Sequence, residues 1–119
     1  MTTPEKVPTV TLASGAQMPM LGLGTWQLRG RHARDAVRAA LAAGYRHIDT
    51  ATMYGNEEEI GQAIRASGLD RSELFLTTKI RPADAGREDA VLRASLRKLG
   101  TDYVDLWLIH WPSRGAGNR

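Results

Sequence analysis

The chain of 119 residues contains no cysteine. That excludes disulfides, thiolate metal sites and a cysteine nucleophile. It also suits a reducing compartment, so a cytoplasmic location is the expectation. Histidines are few and dispersed (His32, His47 and His110), without the close ligand spacing of a metal centre, and no metal is expected. No apolar run approaches the ~20 residues that a membrane span needs. The opening Met1-Thr-Thr-Pro-Glu-Lys6 lacks the charged-then-apolar order of a secretory signal. Dense runs of one charge are missing too. The net charge is +3, but the arginines are scattered along helical faces and mixed with Asp and Glu. They lack the aromatic interleaving of single-strand binders. Neither nucleic acid nor membrane is expected as a partner.

What is present is the material of a soluble globular chain, 42% hydrophobic and 24% charged, of a length for one domain at most. Residues 7–20 read as a hairpin: Val10-Thr-Leu12, turn chemistry in Ala13-Ser-Gly-Ala16, and a return through Gln17-Met18-Pro-Met20. Pro8 and Pro19 place it outside any central ladder. The pattern then becomes regular. Strands are expected at Leu21–Trp26, His47–Thr50, Leu74–Ile80 and Val104–His110. Helices are expected over 31–43, from Asn56 to Gly68, and over 87–99, with Gly44, Gly68 and Gly100 as their stops.

The inward helix faces are read as Ala36, Val37, Ala40 and Leu41, then Ile60, Ala63 and Ile64, then Val91, Leu92, Leu96 and Leu99. Asn56-Glu-Glu-Glu59 has the spacing of a capping box, and its acids complement the helix dipole. The last strand is apolar at most positions, as for a strand buried on both faces. Residues 113–119 read as an irregular tail.

Strands alternating with helices of about a dozen residues imply right-handed crossovers and a parallel sheet. No Gly-x-Gly-x-x-Gly separates the first strand from its helix, since Gly22-Leu-Gly24 runs into Thr-Trp-Gln. The dinucleotide fingerprint of the doubly wound sheet therefore fails, and a (β/α)8 barrel is favoured. Such a barrel takes about 250 residues. The reading is the N-terminal half of a TIM barrel, truncated: a hairpin, four parallel strands and three helices. Its unpaired outer edges would invite self-association.

Asp49, Lys79 and His110 stand at consecutive strand ends, and Tyr54 lies on the loop after the second strand. In a barrel these ends share one rim, where the active site is built. A free phenol, with a pKa near 10, is a reluctant acid at neutral pH, and a neighbouring ammonium favours its ionised form. Lys79 could supply that charge with Asp49 as its counter-ion, leaving Tyr54 as proton donor. His110 could donate to a substrate oxygen or share the proton transfer. This is machinery for protonating a carbonyl oxygen while something else attacks the carbon. Trp107, Asp102 and Asp105 read as packing or structural residues.

Four segments carry a resemblance: Leu21-Gly-Leu-Gly-Thr-Trp26; Gly44 through Asp49, Ala51 and Tyr54 to Gly61; Leu74-Phe-Leu-Thr-Thr-Lys79; and Ser95 through Leu106 to His110-Trp-Pro112. Together they resemble the N-terminal portion of an aldo-keto reductase, nearest in pattern to the bacterial diketogluconate-reductase-like branch. The whole chain, 1–119, would then be a partial aldo-keto reductase (TIM-barrel) domain. The resemblance implies reduction of aldehydes and ketones with NADPH (NADP+) and a catalytic tetrad matched by Asp49, Tyr54, Lys79 and His110. It implies that Gly24, Thr25, Trp26 and Asp49 bind the cofactor. Trp26, Tyr54, His110 and Trp111 would line the pocket for a small-molecule carbonyl substrate, and the hairpin would close the barrel floor. The family's remaining cofactor contacts, including those that choose NADPH over NADH, come from later strands, so the chain alone is expected to be inactive. The alternative is a non-catalytic half-barrel or interaction module.

Overall fold

The computed structural model describes residues 8–111. Thr9–Thr11 (β1) and Gln17–Pro19 (β2) pair antiparallel, with Thr9 opposite Pro19 and Thr11 opposite Gln17. Thr9 donates to the Gln17 amide oxygen and the Gln17 amide donates to Thr11, each at 2.9 Å. This is the expected hairpin. Val7 and the tail at 113–119 lie outside the described residues.

The remaining strands are Gly22–Gly24 (β3), His47–Asp49 (β4), Phe75–Ile80 (β5) and Leu106–Ile109 (β6). They form one parallel sheet in the order β3-β4-β5-β6. Strands adjacent in sequence are adjacent in space. A doubly wound sheet would put an early strand in the interior of the order. The crossovers are Gly30–Ala42 (α1), Glu57–Ser67 (α2) and Glu88–Leu99 (α3). Gly68 and Gly100 end α2 and α3 in the left-handed region, at φ 74° and 70°, where a glycine carries no side-chain penalty.

Leu23, Ile48 and Leu76 occupy one row of the parallel register. They pack against Val37, Leu41, Ile60, Ala63, Ile64 and Leu99 from the helices. Fully burying one such side chain contributes about 1.5–3 kcal/mol, and this cluster is the core. Gly61 lets α2 lie directly on the end of α3: an added Cβ would stand 2.5 Å from the Lys98 carbonyl oxygen and 2.7 Å from that of Leu99. Strand side chains alternate between faces. Gly24, Asp49 and Thr77, each one residue beyond that row, therefore face away from the helices, as does Lys79. At the base of that face the His47 ring lies within hydrogen-bonding reach of Pro19 O (3.3 Å) and of the Thr77 hydroxyl (3.0 Å), tying the hairpin to the sheet.

The structure corrects four expectations. β6 is not buried on both faces: Leu108 is 40% and Ile109 66% exposed. It is the outer strand of the sheet, and burial depends on neighbours as well as on composition. The inward face of α3 is Ser95 and Leu99, with Val91, Leu92 and Leu96 half-buried. On α1 the deeply buried alanine is Ala33 and Ala36 is half-buried. The capping box at Asn56 does not form, because its side chain turns inward and makes no cap bond. The three following acids do stand in the first turn of α2, and one of them does more than complement the dipole. Glu57 is buried, and its carboxylate accepts from Thr78 at 2.7 Å and Ser95 at 3.1 Å, joining α2 to β5 and α3. A capping box does occur at Asp70 and Glu73, on the short turn before β5.

Candidate active site

Strand alternation explains why Asp49 and Lys79 meet. Asp49 is in register with Thr77, and Lys79 lies two residues further along on the same face, within reach of a long side chain. Its ammonium forms an ion pair with the Asp49 carboxylate and donates to Thr50 O at 3.0 Å. The Lys79 side chain is 14% exposed, and that of Asp49 41%. The ammonium is held away from bulk water while its counter-ion stays partly solvated, which limits the desolvation cost of the pair.

Tyr54 closes a single 3-10 turn, Thr52–Tyr54, that follows β4. Gly55 leaves it at φ 68°, the left-handed conformation that glycine adopts freely. The Thr52 hydroxyl donates to Lys79 O at 2.8 Å, which pins the turn onto the end of β5. Consequently the Lys79 ammonium lies 5.4 Å from the centre of the Tyr54 ring. The His110 ring meets the Tyr54 ring edge-on, with centroids 5.5 Å apart and planes at 80°. His110 itself follows β6, its backbone N–H donating to Ile80 O at 2.9 Å. Its ring Nδ1 is buried without a hydrogen-bond partner among the described residues. Trp111 is half exposed and tilts against it at 5.0 Å. The structure thus brings Asp49, Lys79, Tyr54 and His110 into one continuous group at the C-terminal strand ends.

Gly24, Thr25 and Trp26 flank the Asp49 side. The Thr25 N–H and hydroxyl both donate to Asp49 O at 3.0 Å. An added Cβ on Gly24 would have no atom within 4 Å, so the surface there is open to a flat molecule approaching the backbone. Trp26 is 68% exposed. One residue in this region was read from the sequence only as a helix cap. Asn56 is fully buried, donates to Thr25 O at 2.8 Å and Leu28 O at 3.0 Å, and accepts from the Thr50 hydroxyl at 2.8 Å. Its partners Thr25 and Leu28 stand 31 and 28 residues away, so no local pattern could have announced them.

Other charged clusters are structural. Asp105 pairs with Arg71 at 2.7 Å and accepts the Leu76 N–H at 2.8 Å. Arg81 and Asp84 form a two-point pair, both bonds 3.1 Å, in the turn after β5. That pair holds the Asp84 carboxyl below its ordinary range, chiefly through the Arg81 hydrogen bond. Among the described residues there is no cluster of His, Asp and Glu able to hold a metal, and no helix long and apolar enough to cross a membrane.

A parallel sheet in sequential strand order, helices on one face and ionisable side chains gathered at the C-terminal strand ends define part of a (β/α)8-barrel enzyme fold. Residues 20–116 match the Aldo/keto reductase family, and the chain belongs to that family. It is 51% identical over 105 residues to glycerol 2-dehydrogenase (NADP(+)) of Saccharomyces cerevisiae, a match covering 88% of this chain and 34% of that protein. It is 51% identical over 119 residues to an aldo-keto reductase of Mycolicibacterium vanbaalenii, covering 98% of this chain and 43% of that one.

Among solved structures, an aldo/keto reductase from Brucella melitensis superposes with a TM-score of 0.88 at 54% identity, over 92% of this chain and 44% of that one. A Bombyx mori aldo-keto reductase in complex with NADP gives 0.82 at 42% identity, over 91% and 39%. The chain thus spans less than half the length of these relatives.

Proposed function

We propose that the intact barrel to which this chain contributes reduces aldehydes and ketones to alcohols with NADPH, and that Tyr54 is the proton donor. The observation that carries the reading is the Lys79 ammonium, paired with the Asp49 carboxylate and 5.4 Å from the Tyr54 ring centre, with the His110 ring edge-on to that same ring. Of the relatives, the yeast enzyme is named for NADP(+) and the Bombyx mori protein is a complex with NADP. The open face at Gly24, the fixed Thr25 and the exposed Trp26 suit the flat nicotinamide end of such a cofactor.

When bound, NADPH supplies a hydride to the carbonyl carbon. The rest is work for this chain. Tyr54 gives its hydroxyl proton to the carbonyl oxygen as that oxygen gains charge, and solvent later returns the proton. The negative charge left on the phenol would be offset by the Lys79 ammonium, 5.4 Å from the ring centre. Asp49 and Thr50 O hold that ammonium in place, so no reorganisation is needed as the charge develops. His110, packed on the Tyr54 ring, orients the carbonyl, and Trp26 and Trp111 wall the pocket.

Tyr54→Phe in the intact protein tests the assignment. It should remove most carbonyl reduction, by roughly 10²–10⁴-fold for loss of a positioned acid, while NADPH affinity stays within about twofold of the parent. Near-normal turnover would pass the proton to His110 or water.

A second reading, as an association module, is favoured by one observation: Leu108, Ile109 and Trp111 are exposed along and just beyond the outer strand, and an uncovered apolar edge invites pairing. Under either reading, residues 1–119 by themselves should bind NADPH weakly or not at all and turn over no simple aldehyde. Saturable quenching of Trp fluorescence by micromolar NADPH, together with aldehyde turnover, would refute that.

A further inference from the structure

The segment between β3 and α1 contains a strained turn. The Leu28 N–H donates to Thr25 O at 3.1 Å, closing a β-turn with Trp26 and Gln27 at its centre. Gln27 has φ 68° and is the one described non-glycine residue at positive φ. This third turn position is normally given to Gly or Asn, and a glutamine there persists only where its surroundings over-determine it. The group that does so is the Asn56 carboxamide. Its two N–H groups go to Thr25 O and Leu28 O, the carbonyls at the two ends of the turn. Its oxygen is fixed by Thr50, whose own carbonyl receives the Lys79 ammonium. Asn56 is fully buried, and both of its amide donors and its carboxamide oxygen are hydrogen-bonded.

We propose that Asn56 is a positioning residue: it locks the Thr25–Leu28 turn, and with it Trp26, next to Thr25, which is bonded to Asp49 O, and it thereby sets affinity for the nicotinamide end of the cofactor without acting on the proton transfer. This rests on the reductase reading for its consequence, but not for the clamp. Asn56 itself bonds to neither Tyr54 nor Lys79, and the clamp meets the Lys79 ammonium only through the Thr50 backbone carbonyl.

The test uses the intact protein labelled with 5-fluorotryptophan, the Trp26 fluorine resonance being assigned by its loss in Trp26→Phe. In Asn56→Ala the Trp26 resonance should move and sharpen as the turn samples other conformations. If about a tenth of molecules retain the competent turn, the Kd for NADPH rises about tenfold, while kcat at saturating cofactor and its pH profile stay within about twofold of the parent. Gln27→Gly added to Asn56→Ala should recover part of the lost thermal stability by removing the strain.

Should Asn56→Ala fail to fold, Thr50→Val, which frees the carboxamide oxygen and leaves both donors, should shift the same resonance and raise Kd by less. An unmoved Trp26 resonance with unchanged Kd overturns the proposal. So does a fall in kcat at constant Kd that merely follows the folded fraction, because that is loss of structure alone. If the parent protein binds no NADPH, the reductase reading falls, and the Trp26 resonance alone judges the clamp.

Discussion

Replacing Lys79 by methionine keeps most of the side chain's length and removes its charge. The ammonium stands 5.4 Å from the Tyr54 ring centre. At an effective dielectric of about 20, a unit charge at that separation stabilises a developing phenolate by about 3 kcal/mol. Each 1.36 kcal/mol is a factor of ten in rate, so kcat should fall slightly more than a hundredfold if the charge acts on Tyr54. Two further effects have to be separated from this one. Asp49 loses its partner, but its side chain is 41% exposed and water can solvate it. Thr50 O loses a donor, which costs on the order of 1 kcal/mol of stability and lowers the folded fraction rather than the rate per folded molecule. Single-turnover reduction of a simple aldehyde, at saturating NADPH and normalised to folded protein, isolates the electrostatic part. Lys79→Arg, which keeps the charge at altered geometry, should lose less. If Lys79→Met lost under tenfold, the ammonium would not be stabilising charge on Tyr54, and Lys79 would be a structural partner of Asp49 only.

Gly61→Ala separates helix propensity from packing. Propensity alone favours alanine by about 1 kcal/mol, but the new Cβ would meet the Lys98 and Leu99 carbonyl oxygens at 2.5 and 2.7 Å, an overpacking cost of about 1–3 kcal/mol; the variant should lose up to about 2 kcal/mol net in urea melts, and an increase in stability would refute the close contact. The Asp84 carboxyl titrates below its ordinary range because of Arg81, so its contribution is fully present above the unfolded value of about 3.9 and is lost as pH falls through the lower folded value. Asp84→Asn should therefore be less stable than the parent at pH 6, with the gap closing below about pH 4; a gap independent of pH would show that the Arg81 pair contributes nothing through ionisation.

The features legible in the sequence are those that depend on near neighbours. Gly68 and Gly100 ended helices because a left-handed residue stops one wherever it stands. The alternating strands gave the order of elements. That Asp49, Lys79 and His110 share a rim followed from strand-end placement, because parallel neighbours put their ends on one side. What remained hidden is long-range. Asn56 and Glu57 occupy the first positions of α2, where local chemistry says cap and dipole. The structure turns both inward to polar partners 21 to 38 residues away. β6 misled in the other direction, since an apolar strand reports its capacity for burial and the neighbours decide whether burial occurs.

These two hidden residues also show how the rim is held. The side chains that would do the chemistry lie on three different strand ends and a turn, and the ladder register sets the heights of the strand ends. Buried polar side chains at the start of α2 add cross-links to the segments around them. Asn56 bonds forward of β3, while Glu57 bonds to Thr78, the residue before Lys79, and to α3. A helix start capped only by its own sequence would satisfy its N–H groups but leave the β3–α1 turn and β5 unlinked. Using those positions for cross-links gives up local helix stability, typically about 1 kcal/mol for a missing N-cap bond, and ties the β3–α1 turn and β5 to the start of α2. The same logic says which substitutions the rim should tolerate: changes at the exposed Glu58 should be nearly silent, while changes at Asn56 or Glu57 should reach the site without touching a substrate.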